Sequence, residues 1–125
     1  MSAPIWNPYD RGCPSRKLLD RIGDRWTVLV VGTLGDGPRR FSEIQSAVDG
    51  ISQKMLTQTL RGLERDGLVE RTVFAQVPPR VDYELTATGT SLLQPLQALT
   101  DWATQHMTRV AEAQSGYDEA VTTKK

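Results

Sequence analysis

The sequence contains one cysteine, Cys13, and one histidine, His106, in 125 residues. A single cysteine cannot form an intramolecular disulfide, so a secreted disulfide scaffold and a cysteine-rich zinc site are excluded. One histidine leaves little material for a metal site or a Ser-His-Asp arrangement. The motifs GxGxxG, P-loop and HExxH are also missing. The sequence therefore predicts a protein that is not an enzyme and that uses no cofactor or metal ion.

Long hydrophobic runs and an excess of one charge are lacking too. No apolar run resembles a signal peptide and none could span a bilayer, so we expect a soluble, cytoplasmic protein. Basic and acidic residues number 15 each, and this balance does not indicate nucleic acid. However, the first 80 residues contain 12 basic against nine acidic residues. Any case for nucleic-acid binding must rest on a local patch.

The chain suits one small α+β domain, mostly α-helical, with a modest core. We expect an irregular arm over residues 1–12, the folded domain over residues 13–111, and a disordered tail over residues 112–125, where the composition becomes small and polar. The run "DRWTVLVVGTL" could be a strand by propensity, but apolar residues on nearly every turn favour a buried helix.

Helix and strand signals follow one another in an informative order. Ser52 is suited to cap a fourth helix that ends at Gly67. The alternating segments "LVERTVF" and "RVDYEL" then predict an antiparallel hairpin around the proline-stiffened loop "AQVPPR". Pro95 predicts a kink or a late start in the last helix. The order helix, helix, short strand, helix, helix, strand, strand, helix is that of a winged helix-turn-helix, with the hairpin as the wing.

The fourth helix has one apolar side, formed by Met55, Leu56, Leu60 and Leu63. Amide, hydroxyl and basic groups occupy the opposite side, which comprises Gln53, Lys54, Thr57, Gln58 and Arg61, with Arg65 one turn later. Glutamine can pair with adenine, arginine with guanine, and the threonine methyl group with thymine. For a helix considered alone, an ordinary solvent-exposed face is the favoured alternative.

Two further polar clusters flank this helix. Arg39 and Arg40 are suited to phosphate contacts, and Gln76 and Arg80 lie in the loop that could reach a minor groove. Three such polar clusters around one helix are better explained by contact with a DNA groove than by a chance arrangement of surface residues. The predicted DNA-binding residues are Arg39, Arg40, Ser52, Gln53, Lys54, Thr57, Gln58, Arg61, Gln76 and Arg80.

The segments "CPSRKLLDRIGDRWTVLVVGTL", "RRFSEI", "GISQKMLTQTLRGLERDGLVER" and "VPPRVDYELTATG" together resemble the HxlR-type winged helix-turn-helix transcriptional regulators of bacteria. The resemblance implies a homodimer on a palindromic double-stranded DNA operator, with the helix over residues 52–66 in the major groove and the loop over residues 75–80 at the minor groove or backbone. It also implies that the first and last helices are dimerisation helices. This agrees with their surplus of apolar residues, which are Leu18, Leu19, Leu92, Leu96, Leu99 and Trp102.

Cys13 lies at a helix N-terminus, where the helix dipole and the nearby Arg11, Arg16 and Lys17 would favour a thiolate. Some members of the resembling family sense oxidants through a cysteine at this position. The resemblance thus implies a redox sensor for oxidants or electrophiles, beside the possibility of a small-molecule effector. The alternative is a small buried hydrophobic residue at the dimer interface, and it is favoured because lone cysteines are more often packed than reactive.

Three functions fit these observations to different degrees. The first is a DNA-binding transcriptional regulator, and a repressor is favoured because blocking a promoter needs less machinery. The second is a winged-helix protein-interaction module that does not touch DNA, which the zero net charge mildly supports. The third is a ligand-binding protein with incidental catalysis, which ranks last because no nucleophile–base pair is evident.

Overall fold

The computed structural model describes residues 5–123. Residues 1–4 of the predicted arm and residues 124–125 of the predicted tail lie outside the described residues. The chain divides into two compact units, one up to Leu93 and one from Gln94 onward. The predicted class, α+β and mostly helical, is confirmed.

Helices α1 (Pro14–Gly23) and α2 (Arg25–Thr33) begin the first unit. Asp24 separates them and caps α2, because its carboxylate accepts a hydrogen bond of 2.8 Å from a backbone N–H of the first turn. The run of valines is helical, as its apolar pattern indicated. Val30 and Val31 of α2 are completely buried.

A helix-turn-helix follows the short 3-10 turn at Leu34–Asp36. Strand β1 (Arg39–Arg40) comes first, and helices α3 (Phe41–Ala47) and α4 (Gln53–Arg65) then form the helix-turn-helix. The prediction that Ser52 caps α4 is confirmed, since its hydroxyl oxygen accepts a hydrogen bond of 3.1 Å from a backbone N–H.

The end of α4 depends on glycine. Gly67 has a φ of +74°, a left-handed conformation that is costly for residues with a Cβ. Its N–H donates to the Glu64 carbonyl oxygen at 3.1 Å, and the Leu68 N–H donates to the Leu63 carbonyl oxygen at 2.9 Å. This pair of bonds closes the helix and directs the chain straight into the wing.

The wing is the hairpin of β2 (Val69–Phe74) and β3 (Arg80–Leu85), which are antiparallel. β1 pairs with the other edge of β3, so the sheet has the order β1-β3-β2. In this register Arg40 lies opposite Asp82. The predicted winged helix-turn-helix is therefore confirmed.

One core holds the first unit together, and α4 packs against α2 at its centre. Burying a Val, Leu or Ile side chain contributes about 1.5–3 kcal/mol, which is enough to fix the side of each helix that faces inward. The buried apolar side chains of this core are Val30, Val31, Leu34, Ile44, Val48, Ile51, Leu56, Leu60, Leu63, Leu68 and Val69.

Two helices, α5 (Ala87–Ser91) and α6 (Leu93–Thr123), replace the single last helix that was predicted. Pro95 lies in the first turn of α6, where a backbone N–H has no partner within the helix, so the chain shows the late start. The tail predicted as disordered over residues 112–125 is helical through residue 123, which corrects that prediction. The segment contains no proline and includes alanine, glutamate and glutamine, which favour helix. Although α6 has 31 residues, no helix within residues 5–123 is long and apolar enough to cross a membrane.

Gly89 permits a close approach between α5 and the start of the wing. Thr86 anchors the approach, because its N–H donates to the Leu68 carbonyl oxygen at 3.0 Å and its hydroxyl donates to the Gly67 carbonyl oxygen at 2.6 Å. A Cβ added at Gly89 would overlap the same Leu68 carbonyl oxygen. Since the clash is with backbone, no side-chain rotation relieves it.

We therefore expect Gly89→Ala to lower the free energy of unfolding by about 1–3 kcal/mol, as overpacking does. Urea unfolding followed by circular dichroism measures the change. Gly32→Ala is the matched control, because an added Cβ there meets no atom within 4 Å; it should be neutral or stabilise α2 by up to about 1 kcal/mol. Equal stabilities of the two variants would contradict the close approach.

Candidate nucleic-acid interface

α4 presents its polar side outward because its leucines are buried. Gln53, Lys54, Gln58 and Arg61 are exposed, and Thr57 is half-buried. The structure thus brings five of the predicted DNA-binding residues onto one side of one helix. An α-helix with such a side fits the width of a major groove.

Two hydroxyl groups at the beginning of α4 have defined roles. The Ser52 oxygen accepts the capping bond, which leaves its own proton free for a phosphate oxygen. The Thr57 hydroxyl donates to the Gln53 carbonyl oxygen at 2.8 Å. Because that proton is already used, the methyl group of Thr57 is the part best suited to contact a base.

Four of the five predicted cations have no ion pair within residues 5–123, and three of these four have exposed side chains: Arg40, Lys54 and Arg61. The backbone N–H of Arg40 donates to a Glu43 carboxylate oxygen at 2.9 Å, so the acid caps α3 and leaves the Arg40 side chain unpaired. An unpaired, exposed cation can neutralise a phosphate without first breaking a salt bridge. These three side chains are the strongest candidates for DNA contacts.

Arg39 and Arg80, also predicted to bind DNA, are engaged within the protein. The Arg39 Nε–H donates to the Thr33 carbonyl oxygen at 2.9 Å, and the side chain is half-buried. Arg80 donates two hydrogen bonds, of 3.0 and 3.1 Å, to the Asp82 carboxylate and lies 5.4 Å from the Phe74 ring centroid. The Asp82 hydrogen bond raises the pKa of Arg80. Both arginines brace the sheet, which the sequence pattern could not indicate.

Gln76 is exposed at the tip of the wing, outside both strands. Its N–H donates to the Phe74 carbonyl oxygen at 2.9 Å, which holds the first part of the loop in a tight turn. Gln76 thus lies in the loop where the sequence placed it, and its contact with DNA stays a prediction.

Arg71 and Tyr83, which sequence analysis did not identify, connect the wing with α4. Arg71 of β2 forms an ion pair of 3.5 Å with Glu64 of α4. Tyr83 lies opposite Arg71 in the hairpin, and burial raises the pKa of its phenol while the charge of Arg71 lowers it. The sequence signal for this contact was weak, because alternating polar residues in a strand have many partners to choose from.

Four of the six predicted dimer-interface residues are exposed in the single chain: Leu18, Leu19, Leu99 and Trp102. Leu92 is half-buried and Leu96 is buried, so these two are poor candidates for contact with a second subunit. Helical spacing of leucines identifies an apolar stripe, but it does not indicate which leucines of the stripe are already buried within the single chain. The Trp102 ring stacks on His106 at a centroid distance of 4.5 Å.

Cys13 is half-buried, and its sulfur has polar neighbours. Its Sγ lies 3.0 Å from the Ser15 hydroxyl and accepts a hydrogen bond of 3.2 Å from the Asn7 N–H. The hydrogen bond with the Ser15 side chain is the main cause that lowers the pKa of the thiol, and the nearby Asp10 charge opposes it. The thiolate character expected from the sequence thus has a different origin, namely hydrogen bonds rather than the basic neighbours.

Residues 5–123 contain no cluster of His, Cys, Asp or Glu that could hold a metal ion.

Comparison with known proteins agrees with this architecture. The family model described as HxlR-like helix-turn-helix matches residues 21–111. The HTH-type transcriptional regulator YtfH of Escherichia coli strain K12 is 41% identical over 96 residues, which cover 77% of this chain and 76% of YtfH.

Solved structures extend the similarity to the fold. The transcriptional regulator YtfH of Salmonella typhimurium superposes with a TM-score of 0.83 at 37% identity, covering 89% of this chain and 99% of that one. Diamide-treated YodB of Bacillus subtilis superposes with a TM-score of 0.64 at 40% identity, covering 77% of this chain and 96% of YodB. YodB has also been solved in a reduced form.

The hydrogen bond to Cys13 generates a prediction about its reactivity. A bond that stabilises the thiolate lowers the pKa, so its loss in Ser15→Ala should raise the pKa and reduce the thiolate fraction at pH 7. Iodoacetamide alkylation, followed by mass spectrometry, should then slow by roughly two- to fivefold at pH 7 and converge with wild type at high pH. Ser46→Ala, an exposed serine of α3, is the control. Identical rates for Ser15→Ala and wild type across the pH range would contradict this role of Ser15.

Proposed function

Because the chain belongs to the HxlR family of helix-turn-helix transcriptional regulators, we propose that it acts as a repressor that inserts α4 into the major groove of its operator. The observation that supports this most directly is the exposed side of α4, where the unpaired Lys54 and Arg61 accompany Gln53, Thr57 and Gln58. Such a side combines base-reading amides with phosphate-neutralising charge.

The wing supplies a second contact in this proposal. Gln76 at its tip reaches the minor groove or backbone, and Arg40 beside the sheet binds a phosphate. Arg39 and Arg80 contribute by holding the sheet in shape, with Arg80 able to exchange Asp82 for a phosphate at some cost. The ion pair between Arg71 and Glu64 keeps the wing in a defined position relative to α4, which is what simultaneous contact with two grooves requires.

We place the protein on DNA as a homodimer in the cytoplasm, without a catalytic role. A twofold dimer presents its two recognition helices about 34 Å apart, one turn of B-DNA, to a palindromic site. The exposed Leu18, Leu19, Leu99 and Trp102 supply the apolar surface for the dimer interface. Large apolar side chains left in water on two helices favour association.

Cys13 is our candidate for a redox switch. Its thiolate is stabilised by Ser15, and the relative YodB has been solved both reduced and after treatment with the thiol oxidant diamide. Since the chain has no second cysteine, a disulfide would need a thiol from a small molecule or from the partner chain. Oxidation or electrophile addition at Cys13 would then release the operator.

Arg61→Ala should weaken operator binding by about 1–3 kcal/mol and relax specificity at one base pair, because it removes a candidate bidentate base contact. The operator is first obtained by selecting bound duplexes from a random pool, and affinity is then measured by fluorescence anisotropy. Arg16→Ala, which removes the same charge from α1, is the control and should cost much less. Equal affinity of wild type and Arg61→Ala would refute the contact, and failure to select any sequence would favour a protein-interaction module instead.

A charged residue in place of exposed apolar side chains should disrupt the dimer. The double variant Leu99→Glu/Trp102→Glu should sediment as a monomer at micromolar concentrations at which the wild type is dimeric, because two buried carboxylates in the interface would be costly. Gln94→Glu, an exposed position near the start of α6, is the control and should leave the dimer intact. A dimeric double variant would exclude this part of α6 from the interface.

A further inference from the structure

A cavity of about 580 Å³ opens at the N-terminus of α1, within the first unit. Its volume lies in the range of small-molecule binding pockets. Trp6, Pro14 and Leu18 give it an apolar wall, and the Trp6 and Leu18 side chains are largely exposed to solvent. An apolar wall of this kind can cover the flat face of an organic molecule.

The remaining lining is strongly basic. Four cations, Arg11, Lys17, Arg21 and Arg65, face one carboxylate, Asp66. Asp66 pairs with Arg21 and, at 3.9 Å, with Arg65. Arg11 and Lys17 form no ion pair with any residue between positions 5 and 123. The cavity therefore has two positive charges with no direct ion pair among the described residues, although the Asp10 carboxylate, which accepts a hydrogen bond from the Gly12 N–H, lies close to the lining.

We propose that this cavity binds a small organic anion with a flat apolar body, such as an aromatic carboxylate. The apolar body stacks on Trp6 and packs against Pro14, and the carboxylate is held by Arg11 and Lys17. The ten-residue helix α1 points its N-terminal, positive end toward the same cavity and adds to the attraction. Binding is reversible and needs no reaction at Cys13, so it is separate from oxidation of the thiol.

The cavity also connects with the DNA-binding helix, a step that rests on the function proposed above. Arg65 is the last residue of α4 and Asp66 is its C-cap. The Arg21 guanidinium pairs with Asp66 and lies against Gly62, where any Cβ would overlap it. A bound carboxylate competes with Asp66 for Arg21 and so alters the contact that fixes the end of α4. Occupancy of the cavity should therefore change operator affinity.

The probe is 2-naphthoate, and 2-naphthamide is its neutral counterpart of the same shape. The full chain has three tryptophans, so the indole N–H signals in a ¹⁵N-labelled sample report on Trp6, Trp26 and Trp102 separately. We expect 2-naphthoate to shift the Trp6 signal with a Kd of about 1 mM or lower, and 2-naphthamide to bind at least about fivefold more weakly. Trp6→Phe assigns the signal.

Charge-removing variants test the anion contacts. Arg11→Gln/Lys17→Gln should weaken 2-naphthoate binding by about five- to tenfold. Arg16→Gln, on the same helix but outside the cavity lining, should leave it unchanged. No shift of the Trp6 signal, equal affinity for acid and amide, or equal losses in Arg16→Gln and in the double variant would each overturn the proposed site.

The effect of 2-naphthoate on operator affinity is measured separately, by fluorescence anisotropy of the operator duplex. Saturating 2-naphthoate should lower operator affinity at least about threefold in wild type, and Arg11→Gln/Lys17→Gln should need an about five- to tenfold higher 2-naphthoate concentration for half of that effect. Binding of 2-naphthoate with unchanged operator affinity would overturn the coupling to α4. Absence of operator binding without any 2-naphthoate would refute the proposed function, whereas the Trp6 titration would still decide whether the cavity binds the anion.

Discussion

The packing of α4 against α2 is the constraint on which the rest of the structure depends. Leu56, Leu60 and Leu63 are buried against a core that includes Val30 and Val31, so α4 cannot rotate about its axis without exposing them. Rotation would expose several buried side chains, and exposing each would cost about 1.5–3 kcal/mol of free energy. Core packing therefore determines which polar groups of α4 face outward, and the position of its proposed DNA-binding side follows from the burial of its apolar side.

Ion pairing then sorts the outward-facing cations. Arg71 and Arg80 have carboxylate partners, and both pairs stiffen the hairpin or its contact with α4. Arg40, Lys54 and Arg61 have none among the described residues. Although the net charge is zero, the cations of the proposed interface fall into two groups. The paired arginines fix the shape of the interface, and the unpaired cations are available for phosphates and bases.

Sequence patterns predicted the backbone well, because helix caps, glycine stops and strand alternation are local. Ser52 and Gly67 act through residues within a few positions along the chain, and the two strands of the hairpin are neighbours in sequence. The errors came from interactions between distant positions. The burial of Leu96 could not be inferred from helical spacing, and composition gave no measure of how far α6 would extend. Similarly, the side-chain partners of Arg39 and Arg71 lie on other secondary-structure elements, so local sequence patterns do not reveal the roles of these two arginines.

Among the described residues, the proposed DNA-binding surface has three exposed cations without an ion pair in each protomer: Arg40, Lys54 and Arg61. Each phosphate neutralised releases counterions and gives affinity that is independent of sequence. A protomer with three such cations gains little of this affinity, so non-specific binding would be weak. In the proposed complex, most of the discrimination would then come from base contacts by Gln53, Gln58 and Arg61, made twice by a twofold dimer. In that complex, a shift of one α4 helix would weaken base contacts that few phosphate contacts could replace, so the end of α4 is the place where the proposed anion would act most directly on operator binding.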